Sequence, residues 1–140
     1  TTIVHGDYRL DNMILKNNEV VGILDWELST LGHPIADFSY HCLSWRTQEA
    51  FWDEAKLKEL GIPSEREYME MYCENSGKDL SKNWEFYMAF NMFKIAGILQ
   101  GILGRVRDGT AASKHAEERG NMVFPLSEAA WSTIEENFLK

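Results

Sequence analysis

The alternation of hydrophobic and polar positions predicts that the chain begins with β structure. A short strand is predicted at residues 2–4. Two β-favouring apolar runs, residues 13–15 and 20–24, flank the polar residues 16–19. A polar stretch of this kind between two such runs is typical of a hairpin turn. We therefore expect a β-hairpin whose two outer ends lie close together.

From Pro34 onward, apolar residues recur at helical spacing. Ser64 with Glu67 forms a capping-box pattern at the start of one helix, and Ser76-Gly77 follows its end. Helices are predicted over residues 34–45, 48–60, 64–75 and 84–106, and over one long or two shorter segments between residues 114 and 138, with a break near Gly120 or Pro125. The expected fold class is α+β and mainly α, with residues 1–140 in a single domain that includes a helical subdomain over residues 34–140.

The predicted helix over residues 84–106 is apolar nearly all round, which indicates a place in the middle of a helix bundle. Asn91, Lys94 and Gln100 interrupt the apolar run, so we do not expect this helix to cross a membrane. Three glycines on or near one face are predicted to let a neighbouring helix approach closely: Gly97, Gly101 and Gly104.

The composition is that of a globular protein, and it narrows the choice of partners. The 140 residues are 44% hydrophobic and 26% charged, and the formal net charge is −8. This acidic balance argues against a nucleic-acid partner. Cys42 and Cys73 do not have a metal-ligand spacing, and no secretory signal is visible before the first strand. A reduced, cytoplasmic location is therefore the expectation.

Three polar side chains near the outer ends of the hairpin suggest phosphoryl-transfer chemistry. Asn12 lies at the entrance and Asp25 at the exit, so we expect them to be close. An amide and a carboxylate are hard oxygen ligands, which suit a magnesium ion that keeps its other sites for water and phosphate. Asp7, five positions before Asn12, would then be free to orient an acceptor hydroxyl. This division of roles is that of protein-kinase-like phosphoryl transfer.

The motif HGDYRLDN at residues 5–12, followed by ILDWELSTLGHPIADFSY from residue 23, resembles the aminoglycoside phosphotransferase and choline kinase superfamily. Within it, the motifs are most similar to kinase-like domains associated with acyl-CoA dehydrogenases. The resemblance implies transfer of the γ-phosphate of ATP, as co-substrate, to a hydroxyl of a small molecule in the presence of Mg²⁺. It implies that Asp7 is the catalytic base, that Asn12 and Asp25 are the magnesium ligands, and that His5 and Asp37 support the catalytic loop.

Other residues near these motifs have more than one interpretation. Arg9 and Asp11 would either contact a substrate phosphate or form a local ion pair. Glu27, in the metal loop over residues 25–27, would either assist metal binding through water or cap the following turn. His33 precedes Pro34 at a predicted helix start and is interpreted as a helix-entry residue.

The catalytic loop begins at residue 5, whereas kinase-like folds place a Gly-rich loop and a phosphate-pairing Lys upstream of it. The resemblance therefore implies a C-terminal lobe with its N-terminal lobe absent, and we expect the isolated chain to be inactive. We also expect a homo-oligomer that covers the apolar surface left beside the first strand. A hydroxyacyl-CoA is the favoured acceptor. The alternatives are a non-catalytic binding or scaffold lobe, and a fragment with no independent function.

Overall fold

The structure, a computed structural model, describes residues 1–47, 54–80 and 82–140. These residues contain two antiparallel strand pairs and six α-helices. The chain divides into two units, Thr1–Trp84 and Glu85–Lys140. Both strand pairs belong to the first unit. This mainly helical architecture with a small β part confirms the fold class that the sequence predicts.

The first strand pair was only half predicted. Strand β1 (Thr2–Val4) is present as expected, and it pairs antiparallel with a strand that the sequence analysis missed, β4 (Thr30–Gly32). A Cβ at Gly32 would lie 3.1 Å from a methyl carbon of Val4, so a small residue suits this close approach of the two strands. The pairing brings the residues that follow β1 beside those that precede β4.

The predicted hairpin is present and is formed by β2 (Met13–Lys16) and β3 (Glu19–Ile23). Asn17 and Asn18 make the turn between them, with φ of 53° and 63°. Both angles lie in the left-handed region, which asparagine tolerates better than most residues and which tight two-residue hairpin turns require. The polar turn therefore fixes the register that places Lys16 opposite Glu19, and a shift between Ile14 and Leu15 then places Met13 opposite Ile23.

The helices of the first unit follow β4. Helix α1 (Ile35–Cys42) continues into a 3₁₀ turn, so the predicted helix over residues 34–45 changes geometry in its last turn. Helix α2 (Glu54–Glu59) ends close to the predicted position, while the predicted start at residue 48 lies outside the described residues. The entry role predicted for His33 is confirmed, because its Nδ1 accepts the Ile35 N–H at 3.3 Å.

Helix α3 (Glu65–Ser76) has both of its predicted caps. The Ser64 side chain accepts the backbone N–H of Glu67, while the Glu67 carboxylate accepts the backbone N–H of Ser64 at 2.8 Å. These two bonds satisfy helix N–H groups that would otherwise have no intrahelical partner. At the other end, Gly77 has the left-handed conformation, with φ of 66°, that closes many helices.

Aromatic rings join α1 to α3, and one ion pair joins α3 to Arg46, which follows the 3₁₀ turn after α1. The buried Phe38 ring stacks on Tyr72 with ring centroids 4.0 Å apart. The Glu65 carboxylate accepts hydrogen bonds from Arg46 Nε at 2.7 Å and from Trp84 Nε1 at 2.7 Å. Because the carboxylate is satisfied by both donors, the ion pair is tolerated away from bulk water. These contacts hold α1 in place beneath the loops described below.

The second unit is helical. It contains α4 (Trp84–Arg107, which begins at the unit boundary), α5 (Ala116–Asn121) and α6 (Val123–Phe138). Two helices therefore occupy the C-terminal segment, as one of the two predicted arrangements has it, and Pro125 lies in the first turn of α6. Proline is tolerated there because the first N–H groups of a helix have no intrahelical partner.

Helix α4 is not covered on all sides, which corrects the prediction of a helix in the middle of a bundle. Met88, Ala89 and Met92 are buried, whereas Phe86, Phe90 and other apolar side chains of the same helix are about half exposed. A helix with so wide an apolar circumference needs neighbours all round, and the described chain does not supply them. By length and composition alone, α4 is long and apolar enough to cross a membrane, but the core helices of soluble proteins often are too. In its most apolar stretch of 18 residues, 28% is buried.

The glycines of α4 do not mark a helix contact. A Cβ built on Gly97, Gly101 or Gly104 would meet no atom within 4 Å among the described residues. The close approach in this unit occurs at a different glycine, Gly120 of α5, where a Cβ would lie 2.6 Å from Leu103 Cγ. The predicted role of the three α4 glycines is therefore wrong.

Candidate active site

The loop between β1 and β2 is fixed by a carboxylate from α1. Asp37, in the first turn of that helix, accepts the backbone N–H of His5 at 2.6 Å and that of Gly6 at 2.9 Å. Gly6 has φ of 85°, and a Cβ at this position would lie 2.5 Å from the carbonyl oxygen of Leu28. The loop therefore passes so close to the 3₁₀ turn after β3 that only glycine fits.

His5 joins this loop to the end of the hairpin. The side chain is buried, its Nδ1 lies 3.2 Å from the backbone N of Asp7, and its Nε2 lies 2.8 Å from the carbonyl oxygen of Leu24. Since a backbone N–H can only donate, Nδ1 is the acceptor, and the ring proton is on Nε2, which donates to Leu24. The Trp26 ring packs edge-on against the imidazole with centroids 4.7 Å apart. One tautomer thus connects the two loops.

Asp7 receives a hydrogen bond on each carboxylate oxygen. Asn12 Nδ2 donates to Oδ2 at 2.9 Å, and it also donates to the Asp7 carbonyl oxygen at 2.9 Å. The Tyr40 hydroxyl donates to Oδ1 at 2.8 Å. Burial of the phenol, together with the neighbouring Asp7 carboxylate, raises the pKa of Tyr40 to about 12. The carboxylate is therefore held in one orientation by two protonated donors.

The structure brings the loops of Asn12 and Asp25 together at the open end of the hairpin. The backbone N–H of Leu24 donates to the Asn12 carbonyl oxygen at 2.8 Å, which ties the residue before Asp25 to the hairpin entrance. Asp25 itself has φ of 66° and ψ of 52°, a left-handed conformation that is uncommon outside glycine. Its side chain does not cap the 3₁₀ turn that it begins. The backbone bend instead directs the chain into that turn.

The donor set of Asn12 and Asp25 suits a magnesium ion. The amide of Asn12 uses its nitrogen to hold Asp7, so its oxygen remains available as a ligand. The Asp25 carboxylate is exposed and adds a second hard oxygen. Mg²⁺ takes few protein ligands and keeps several waters or phosphate oxygens. No group of three or more His, Cys, Asp or Glu side chains suited to a metal occurs within residues 1–47, 54–80 and 82–140.

The other candidates from the sequence lie at the surface of the same loops. Arg9 and Asp11 form a local ion pair, one of the two arrangements considered for them, and both side chains are more than half exposed. The bond to Asp11 raises the pKa of the Arg9 guanidinium. Glu27 is exposed in the 3₁₀ turn Trp26–Leu28. An exposed ion pair such as that between Arg9 and Asp11 contributes little to the stability of the fold.

Tyr40 is the residue of this site that the sequence analysis did not identify. A signal was present, because Tyr40 lies three positions after Asp37 and helical residues three apart share a face. The same face of α1 therefore holds the loop backbone through Asp37 and the Asp7 carboxylate through Tyr40.

The chain is a member of the Phosphotransferase enzyme family, whose sequence model matches residues 1–72. The matched range includes the whole site, from His5 to Tyr40. The match confirms the family resemblance that the motifs predict.

Individual proteins similar to this chain agree with that assignment. A crystal structure of a protein from Ralstonia eutropha JMP134, provisionally named an aminoglycoside phosphotransferase, is 47% identical with a TM-score of 0.86 and covers 96% of this chain and 42% of that chain. Acyl-CoA dehydrogenase family member 10 of Mus musculus is 45% identical over 94% of this chain and 13% of its own length. Acyl-CoA dehydrogenase family member 11 of Homo sapiens is 36% identical over 97% of this chain and 18% of its own length. The chain thus spans less than a fifth of these two relatives.

Proposed function

We propose that this chain supplies the catalytic and metal-binding loops for transfer of the γ-phosphoryl group of ATP to a hydroxyl of a small molecule. The observation that carries the proposal is the orientation of Asp7, whose carboxylate is held by Asn12 and Tyr40 on a loop fixed by Asp37. A carboxylate held in this way is suited to accept a proton from an acceptor hydroxyl. Membership of the phosphotransferase family supports the reaction class.

Each residue has a distinct task in this proposal. Asp7 orients the acceptor hydroxyl and accepts its proton as the oxygen attacks the γ-phosphorus, while the bond from that phosphorus to the bridging oxygen breaks and ADP leaves. Asn12 and Asp25 would hold Mg²⁺, which offsets the negative charge of the phosphates when it is bound. His5 and Asp37 keep the loop in place through the hydrogen bonds described above. Little covalent chemistry is required of the protein, so correct positioning supplies most of the effect.

For the acceptor, we favour a hydroxyl of an acyl-CoA. The support is that two of the similar proteins are named as acyl-CoA dehydrogenase family members. An aminoglycoside is the competing acceptor, because the similar crystal structure carries that provisional name. Because one fold can serve many substrates, acyl-CoA and aminoglycoside acceptors need to be compared directly.

The experiment uses the full-length gene product and compares Asp7→Asn with Asp25→Asn. Asparagine keeps the size of both side chains, and it tolerates the left-handed backbone at position 25. We expect Asp7→Asn to lower phosphoryl transfer by about a hundredfold or more while calorimetry shows unchanged binding of Mg-ATP. Asp25→Asn should weaken Mg-ATP binding as well, because it removes a charged ligand.

Radiolabelled ATP offered with hydroxyacyl-CoA and, separately, with aminoglycosides identifies the acceptor class. Equal loss of Mg-ATP binding in both variants would contradict the assignment of roles. Full activity of Asp7→Asn would contradict the proposed function, in which Asp7 is the base. A wild type that transfers no phosphoryl group to either acceptor class would favour a non-catalytic binding lobe.

A further inference from the structure

Tyr40 lies where it controls the orientation of the catalytic carboxylate. Its hydroxyl donates to Asp7 Oδ1 at 2.8 Å, while Asn12 Nδ2 donates to Oδ2 at 2.9 Å. The phenol ring is partly buried on α1, one helical turn after Asp37. A rigid helix thus presents the hydroxyl to a loop that it also holds by its backbone.

We infer that Tyr40 is a positioning residue for Asp7, and that its hydroxyl fixes the rotation of the carboxylate that receives the acceptor's proton. This inference rests on the proposed phosphotransferase function. Tyr40 acts through Asp7 and does not itself contact the reacting atoms.

The physical reason is that the carboxylate of aspartate rotates easily. Its terminal torsion is broad, so a single donor on one oxygen does not define the plane of the group. A second donor on the other oxygen, from a different element of structure, does define it. Each carboxylate oxygen has more than one lone pair, so Oδ1 can hold Tyr40 and still receive an acceptor hydroxyl.

The surroundings of Tyr40 make it a permanent donor. The charged groups that face its hydroxyl are the Asp7 carboxylate and the Arg9 guanidinium. With the phenol pKa near 12, the hydroxyl keeps its proton throughout the neutral range. Tyr40 therefore orients Asp7 without competing with it for the proton of the acceptor.

The test is a double-mutant cycle on the full-length gene product. Tyr40→Phe removes the hydroxyl and keeps the ring, so we expect kcat to fall about tenfold or more with KM for Mg-ATP unchanged. In an Asp7→Asn background, Tyr40→Phe should cause no further loss, because the group that it orients is no longer a base. The matched control is Tyr68→Phe, which removes a hydroxyl from another partly buried tyrosine of the same unit. We expect wild-type kcat from this control.

The outcomes separate this inference from the proposed function. If Asp7→Asn is inactive and Tyr40→Phe keeps wild-type kcat, the inference is wrong and the proposed function stands. A tenfold loss that persists in the Asp7→Asn background would indicate a merely structural role and would also overturn the inference. Wild-type activity of Asp7→Asn would instead overturn the proposed function.

A second measurement needs no activity. Fluorine lowers the pKa of a phenol, so 3-fluorotyrosine at position 40 titrates under milder conditions and can be followed by ¹⁹F NMR. We expect Asp7→Asn to lower the pKa of this phenol and to leave that of 3-fluorotyrosine at position 68 unchanged. An unchanged pKa at position 40 would show that the hydroxyl does not bind Asp7, which contradicts the inference.

Discussion

Gly6 is closely confined by its neighbours in the loop between β1 and β2. Its backbone lies in the left-handed region, its N–H is held by Asp37, and the Leu28 carbonyl oxygen fills the space that a side chain would need. A glycine between the buried His5 and Asp7 is therefore required by the close approach of the two loops. A side chain here would move the neighbouring Asp7 away from Asn12 and Tyr40.

We therefore expect Gly6→Ala to lower the free energy of unfolding by at least about 2 kcal/mol. Two effects add: the left-handed backbone disfavours alanine, and its Cβ would lie 2.5 Å from the Leu28 oxygen. Urea unfolding followed by tryptophan fluorescence measures the change. Gly61→Ala is the matched control, because Gly61 has φ of 71° but a Cβ there would meet nothing within 4 Å among the described residues. Equal destabilisation in both variants would show that the clash has no effect.

At the level of single residues, the sequence indicates which side chains gather but not how they bind one another. The motifs place His5, Asp7 and Asn12 on one loop because their spacing is local. The bond from Tyr40 to Asp7 joins residues 33 positions apart, so it depends on where α1 packs. No local pattern of residues 5–12 contains that information.

Among the elements, α4 shows that the apolar pattern of a helix does not decide which face is covered. Its three glycines meet no neighbour among the described residues, whereas Gly120 of α5 contacts Leu103. A glycine in a helix that touches nothing lowers helix stability without a packing benefit, because it adds freedom to the unfolded chain. A glycine at a close contact is required by its neighbour.

Alanine substitutions at these two kinds of glycine should change the free energy of unfolding in opposite directions. Gly97→Ala is expected to raise the free energy of unfolding by up to about 1 kcal/mol. Gly120→Ala is expected to lower it, because the new Cβ would lie 2.6 Å from Leu103 Cγ and 3.3 Å from the Leu103 backbone nitrogen. Thermal unfolding of the two variants beside wild type provides the measurement. A change of the same sign in both would contradict this description of the second unit.

The elements that the sequence predicts correctly are those with local signals. The β2–β3 hairpin has a polar two-residue turn, and α3 has a capping box at Ser64 and a closing glycine at Gly77. Strand β4 was missed because it has three residues and no alternating pattern, and it exists only through its pairing with β1. Local patterns specify hairpins and helix ends, whereas pairing between distant segments depends on the whole unit.

At the level of the whole molecule, the first unit exposes apolar side chains on β1 and β4. β1 and β4 form a two-stranded sheet, and strand edges of this kind can add a strand from another chain. Ile3 is opposite Leu31 in this sheet, and their exposed fractions are 66% and 73%. Other apolar side chains of this unit that are about half exposed or more include Leu10, Leu24, Trp26 and Leu28. We call the exposed pair of Ile3 and Leu31 the first-strand surface.

We predict that a second copy of the chain covers the first-strand surface, because exposed apolar areas of this kind recruit partners. Light scattering of the chain at rising concentration should give a molar mass above that of one copy. The double variant Ile3→Lys with Leu31→Lys should return the mass to a monomer. Phe124→Lys, at a position that is 67% exposed on α6, should leave the mass unchanged. A monomeric wild type at high concentration would contradict the prediction.

The bonds that complete the active site also determine when it can exist during synthesis. The hairpin closes over a few residues, and such structures form in about 1–10 μs. Tyr40 donates one hydrogen bond to Asp7, and Asp37 accepts two from the loop backbone. These three bonds can form only with a helix that lies more than 30 positions later in the chain. Before α1 has been synthesised, the loop of residues 5–12 lacks the Asp37 and Tyr40 side chains that hold it. Asp7 becomes oriented only after α1 has been synthesised and has packed against the loop. The motif at residues 5–12 is therefore made before the contacts that orient its aspartate can form.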